Sequence, residues 1–168
     1  RAGQGCIAAK ILIRDCLHGD HVKILAHSVA GNHGAGKFCS LLNVVGGSGG
    51  DGTEYQFFRP DEERLFPIYR KCAELGLFVV FHAGWDPIGK GEILAPPKSF
   101  AKIAENFPEM TVVAAHMGGM RQFDEVEDCL AGKFGNVYFD TAAVADYIST
   151  EQLFRIISAH GADKILFA

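Results

Sequence analysis

From Pro60 onward the sequence switches repeatedly between two hydrophobic periods, and this alternation limits the fold more than any other feature. Apolar residues recur at helical spacing, a short apolar run rich in β-branched and aromatic residues follows, and the helical spacing then resumes. Leu65, Ile68, Tyr69 and Cys72 share one face of a helix expected over residues 61–75, with Gly76 as its stop. A strand is expected over 77–81. Phe100, Ile103, Ala104 and Phe107 form the stripe of a second helix, bounded by Pro96, Pro97 and Pro108, and a strand over 111–115 follows. Phe123, Val126 and Leu130 mark a third helix before a strand over 137–139. Ser149 and Gln152 have the spacing of a capping box that opens a fourth helix, with Leu153, Ile156 and Ile157 inward and Gly161 at its end. A last strand starts at Lys164. Strands apolar on both faces and separated by single helices need cover on both sides, so an α/β fold with a parallel sheet is expected, either open or closed into a barrel.

Before Pro60 the pattern is weaker. Residues 7–17 read as a helix and 22–26 as a strand. The stretch 31–52 holds eight glycines, among them Gly46, Gly47, Gly49 and Gly50, and is expected to be flexible coil. The whole of 1–168 is expected to be one domain, since 48% hydrophobic and 21% charged residues supply one sizeable core.

Composition narrows the partners. Sixteen Lys and Arg against 20 Asp and Glu give a net charge of −4, which favours neither a nucleic-acid backbone nor an anionic membrane. No apolar run approaches the roughly 20 residues needed to span a bilayer. Cys6, Cys16, Cys39, Cys72 and Cys129 are odd in number and never form a Cys-x-x-Cys pair, so they read as buried thiols of a cytoplasmic protein.

Three polar residues stand at strand ends. His82 follows Phe78-Val79-Val80-Phe81, His116 follows Val112-Val113-Ala114-Ala115, and Asp140 follows Val137-Tyr138-Phe139. In a parallel sheet the C-terminal edge is where ligands bind. Imidazole ligates metals and moves protons near neutral pH, so a matched pair at one edge points to metal binding or acid–base chemistry. Asp140 either orients a histidine, contacts metal-bound water or caps its own loop. Trp85 and Asp86, in the loop after His82, either contact substrate or pack on the rim. Trp85 and Tyr55 point to a planar or carbonyl-bearing small molecule.

Several segments together resemble the amidohydrolase-related family of metal-dependent TIM-barrel enzymes, which includes hydrolases and non-oxidative decarboxylases. They are Pro60-Asp61-Glu62-Glu63-Arg64-Leu65, Val80-Phe81-His82-Ala83-Gly84, Ala115-His116-Met117-Gly118-Gly119, Asn136-Val137-Tyr138-Phe139-Asp140-Thr141 and Gly161-Ala162-Asp163-Lys164-Ile165-Leu166-Phe167. The resemblance implies a (β/α) barrel, incomplete here, with its first strand and the end of its eighth lying outside the chain. It implies that His82 is a metal ligand, that His116 stands beside or on the metal, and that a divalent cation, usually zinc, lowers the pKa of water for attack on a small-molecule substrate. On this reading His82 and His116 hold the metal, His116 and Asp140 are catalytic, and Trp85 and Tyr55 bind substrate.

The family's first-strand His-x-His has no counterpart among His18, His21, His27 and His33, and its eighth-strand aspartate would fall after Ala168. A full barrel takes about 250 residues, so the chain is expected to carry part of the metal shell. Unpaired strand edges would then favour a homo-oligomer. A decarboxylase of the same family and an inactive barrel remnant are the alternatives. A further one is nucleotide binding, because Gly31-Asn32-His33-Gly34-Ala35-Gly36-Lys37 has P-loop spacing, although Phe38 stands where that motif needs a hydroxyl.

Overall fold

The computed structural model describes residues 59–85 and 93–168 in full, and by backbone alone the strands β1 (Ala8–Leu12), β2 (Lys23–Val29), β3 (Gly36–Leu41), β4 (Val44–Gly49) and β5 (Gly52–Phe57). The fully described part alternates α1 (Phe66–Glu74), β6 (Phe78–Phe81), α2 (Pro97–Asn106), β7 (Val112–Ala114), α3 (Phe123–Cys129), β8 (Val137–Asp140), α4 (Thr150–His160) and β9 (Ile165–Leu166). Strands β6, β7, β8 and β9 are hydrogen-bonded in that order and all parallel. The βα alternation read from the sequence is therefore the observed one, and the chain contains a parallel four-stranded α/β sheet.

Local signals account for the helix boundaries. The first helix starts at Phe66 rather than 61 because Pro67 sits at its first turn, where its missing N–H costs nothing, while Glu63–Leu65 form a separate 3₁₀ turn. Pro97 opens α2 in the same way. Ser149 caps α4 through its hydroxyl, which accepts the N–H of Gln152 at 3.2 Å. Gly76, at φ +63°, ends the turn after α1 as expected.

Register sets the layers of the core. Val79, Val112 and Val137 stand side by side across three strands, as do Phe81, Ala114 and Phe139. All six are fully buried under the helices, against Ile68, Tyr69, Phe100, Ile103, Val126 and Ile156. Aromatic rings meet edge to face there: Tyr69 with Phe81 at 5.6 Å and with Phe107 at 5.7 Å. Cys72 lies in this core, and Cys129 is half-buried with its thiol pushed up by burial and then by Glu125 and Asp128. The opposite face carries Phe78, Val80 and Tyr138, each half-buried, and between the last two Val113, which is buried. Strict alternation continues that less covered face to His82 and Asp140.

The N-terminal third departs from expectation. Residues 8–12 form a strand, not a helix, and pair antiparallel with β2, from Ala8 opposite His27 to Leu12 opposite Lys23. A short apolar run satisfies either period, and a partner strand decides it. β2 pairs antiparallel with β3, which then joins β6 in parallel, so the sheet is mixed on this side. The glycine-rich stretch is not all coil either: β4 pairs with β5 from Val44 opposite Phe57 to Gly49 opposite Gly52, forming a separate two-stranded sheet. The ladder offsets the entropy glycine loses on ordering. Gly36 and Lys37 open β3, whereas a P-loop needs its lysine at the start of a helix, so that alternative is withdrawn. Residues 31–35 of the motif lie outside the described residues.

Candidate active site

His82 leaves the end of β6 and His116 the end of β7, and the side chains meet. His116 Nε2 lies 3.1 Å from His82 Nδ1, with ring centroids 4.9 Å apart and planes at 70°. His116 Nδ1 lies 2.8 Å from the carbonyl oxygen of Ala142. A carbonyl only accepts, so that nitrogen carries the proton and Nε2 keeps the lone pair. In the neutral pair the proton between the rings therefore belongs to His82 Nδ1.

This arrangement depends on backbone that L-residues seldom adopt. His116 and Met117 have φ +58° and +54°, and Gly118 follows at +84°. Strain of this kind persists only where the surroundings over-determine it, and Asp140 supplies the constraint. Its Oδ1 accepts the N–H of His116 at 2.8 Å and that of Ala142 at 3.1 Å, while its own carbonyl accepts the N–H of Met117 at 2.7 Å. Asp140 is buried. Of the three roles open to it, the hydrogen bonds seen are those of loop cap and histidine orienter together: one carboxylate oxygen fixes the backbone beneath His116 and also the residue whose carbonyl holds its ring.

The loops after β6 and β7 are joined. Met120 N–H donates to Ala83 O at 2.9 Å and Trp85 N–H to Met120 O at 2.9 Å. Gly84 makes the approach possible, since a Cβ there would stand 2.2 Å from Met120 N, and its φ is +86°. Beyond this bridge lies Arg121, whose guanidinium carbon is 4.1 Å from the centre of the Trp85 ring and 4.8 Å from that of Tyr147. Sequence reasoning singled out Trp85 but missed Arg121 and Tyr147. The available signal was that both follow strand-end residues in the loops that also carry His116 and Asp140. Of Tyr55, on β5, the side chain lies outside the described residues, as does Asp86.

The His82–His116 pair suits a cation. Two nitrogens bound to tetrahedral zinc at about 2.0–2.1 Å stand about 3.3 Å apart, close to the 3.1 Å seen, and a shift of the shared proton from Nδ1 to Nε2 of His82 would turn both facing nitrogens into ligands. Among the described residues no group of three or more His, Cys, Asp and Glu side chains is placed to hold a metal. Two imidazoles are the part of a ligand set that the described residues bring together, and Asp140 reaches them only through the backbone of His116 and Ala142.

Comparison with known proteins gives the family and similar folds. The pattern of the amidohydrolase family matches residues 43–168. Among solved structures, an uncharacterized TIM-barrel protein from Bordetella bronchiseptica is similar with TM-score 0.54 and 21% identity, covering 66% of this chain and 39% of that one. A 4-oxalomesaconate hydratase from Rhodopseudomonas palustris gives TM-score 0.43 and 18% identity over 77% of this chain and 40% of its own. A 2,6-dihydroxybenzoate decarboxylase gives 0.42 and 15% over 77% and 49%. This chain spans less than half the length of each. No curated protein matches it. No helix among the described residues is long and apolar enough to cross a membrane.

Proposed function

This chain belongs to the amidohydrolase family, whose pattern covers well over half of its length, and from that premise we propose that it serves as a metal-dependent hydrolase of a small-molecule substrate. His82 and His116 hold the cation, and zinc suits two imidazole donors. When bound, such an ion supplies Lewis acidity and brings the pKa of water to about 7.

The protein's own residues do the positioning. His116 has a single lone pair, on Nε2, which serves the cation and is not also the base; Ala142 O keeps the opposite nitrogen protonated and the ring turned toward His82. Asp140 holds His116 in its left-handed conformation and is a positioning residue in this reading. Trp85, tied by its N–H to Met120 O beside the loop bridge, is the aromatic residue this reading assigns to substrate contact. Such a site takes further ligands beyond the two imidazoles; a second copy is one source of them, and a homo-oligomer is part of the proposal.

The observation that carries the reading is the 3.1 Å approach of two imidazoles at the C-terminal ends of adjacent parallel strands. Calorimetric titration with Zn²⁺, and Co²⁺ absorption as a second readout, test it. His82→Ala and His116→Ala are each expected to weaken binding at least about tenfold. Zinc binding unchanged in the double variant would refute the assignment. Chelator-sensitive hydrolysis of ester and amide panels then tests the reaction class.

A further inference from the structure

We infer that His160, a buried imidazole outside the candidate site, is a positioning residue for it: through Phe139 it seats the turn that presents His116 to His82. The inference deepens the proposed function and rests on its reading of that histidine pair as the working site.

The end of β8 grips the His116 turn from both faces of the strand. On one face Asp140 accepts the N–H groups of His116 and Ala142 through its carboxylate and that of Met117 through its carbonyl. On the other, Phe139 abuts Gly118, the third residue of the left-handed run, where a Cβ would stand 2.7 Å from Phe139 Cε1 and 3.1 Å from Cδ1 and Cζ. Residues at φ +58°, +54° and +84° in succession hold only while their surroundings oppose relaxation. Asp140 secures the first two and the Phe139 ring the third.

Phe139 does not fix its own ring plane, because the torsion about its Cβ–Cγ bond is broad. His160 supplies the missing restraint. The two rings lie 3.9 Å apart with planes at 14°, whereas the ring contacts among Phe66, Tyr69, Phe81, Phe100 and Phe107 are tilted or edge to face, with centroids 5.1 to 6.2 Å apart. A flat partner at that distance lets the ring slide little and turn less.

His160 is in turn pinned to the backbone around β8. Its Nδ1 accepts the N–H of Gly132, in the segment leading to the strand, and its Nε2 donates to Val137 O, at the strand's start. Gly132 comes this close because it has no side chain: a Cβ there would stand 2.4 Å from Ala159 O. The imidazole is thus held at both nitrogens, and the stack passes that constraint to the turn at residue 118.

A leucine at 160 would fill the space without a flat face, and a phenylalanine would keep the face without the hydrogen bonds. The readout is the two-bond nitrogen–nitrogen scalar coupling across the hydrogen bond from His82 Nδ1 to His116 Nε2, measured by NMR on labelled protein without metal; Zn²⁺ affinity is the second. Wild type and His160→Phe are expected to show the coupling, and His160→Leu to lose it and to bind Zn²⁺ about tenfold more weakly. Phe139→Leu removes the intervening ring, is expected to give the same two losses, and decides the matter if His160→Leu does not fold. A merely structural His160 would lower the unfolding midpoint and leave the coupling in place. Coupling retained in His160→Leu, or lost in His160→Phe as well, overturns the inference. Coupling that follows the expected pattern in a wild type that binds no Zn²⁺ condemns the metal reading alone, whereas Zn²⁺ bound equally by wild type and His160→Leu condemns this inference alone.

Discussion

Acidification should destabilise this fold through one buried imidazole remote from the candidate site. His160 closes α4, stacks on Phe139 with centroids 3.9 Å apart and planes at 14°, and is 5% exposed. Its Nδ1 accepts the N–H of Gly132 at 3.1 Å and its Nε2 donates to Val137 O at 3.1 Å, so the neutral ring is already matched at both nitrogens. Burial first, and the nearby Lys164 second, push its pKa down from 6.5 to about 4. Between those values the unfolded chain binds a proton that the folded one refuses, so stability falls as pH falls. The contribution is complete above pH 6.5 and gone below about 4. Two and a half units set a ceiling of about 3 kcal/mol, and the part lost between pH 7.5 and 5 is about 2 kcal/mol. With a urea dependence of about 2 kcal/mol per molar, the unfolding midpoint should drop by about 1 M across that range. His160→Phe keeps the stack, gives up both hydrogen bonds at a cost of about 2 kcal/mol at pH 7.5, and should flatten this part of the profile. Other titrating groups are common to both proteins and cancel in the difference. Parallel profiles for the two proteins would show that the reasoning is wrong.

Two further outcomes follow from the loops. Asp140→Ala leaves the N–H groups of His116 and Ala142 without their acceptor and should cost about 3 kcal/mol in urea unfolding, whereas Asp140→Asn, which retains an accepting oxygen, should cost markedly less; equal losses would mean that the carboxylate does not hold the loop. Gly84→Ala sets a Cβ against the Met120 backbone at a left-handed φ and should lower stability by at least about 3 kcal/mol while weakening zinc binding, and a thermal midpoint within a degree or two of wild type would refute the close approach.

The sequence was informative wherever structure is local. The proline and glycine boundaries of α1 and α2, the Ser149 cap and the βα order from Pro60 all rest on interactions within a few residues, and each was readable from spacing. The strand-end positions of His82, His116 and Asp140 were readable from the apolar runs before them, and alternation gives the face of His82 and Asp140. It would, however, set His116 on the core face with Val112 and Ala114, and the positive φ at His116 takes that residue off the pattern. The sequence was uninformative where a partner decides: 8–12 became a strand, and 44–49 a glycine-rich one, through pairing with chain elsewhere.

What tertiary structure alone decided is how those strand ends meet. Register between β6 and β7 places Phe81 opposite Ala114, and no local pattern encodes it, since a slip of two residues would preserve every buried face. The left-handed turn at His116, the carboxylate of Asp140 that secures it, and the lodging of Arg121 between rings from two other loops all join residues 24 or more positions apart. Spacing along a chain determines which face a side chain occupies. Only the packed sheet determines which other side chain it touches, and the chemistry of the pair resides in that contact.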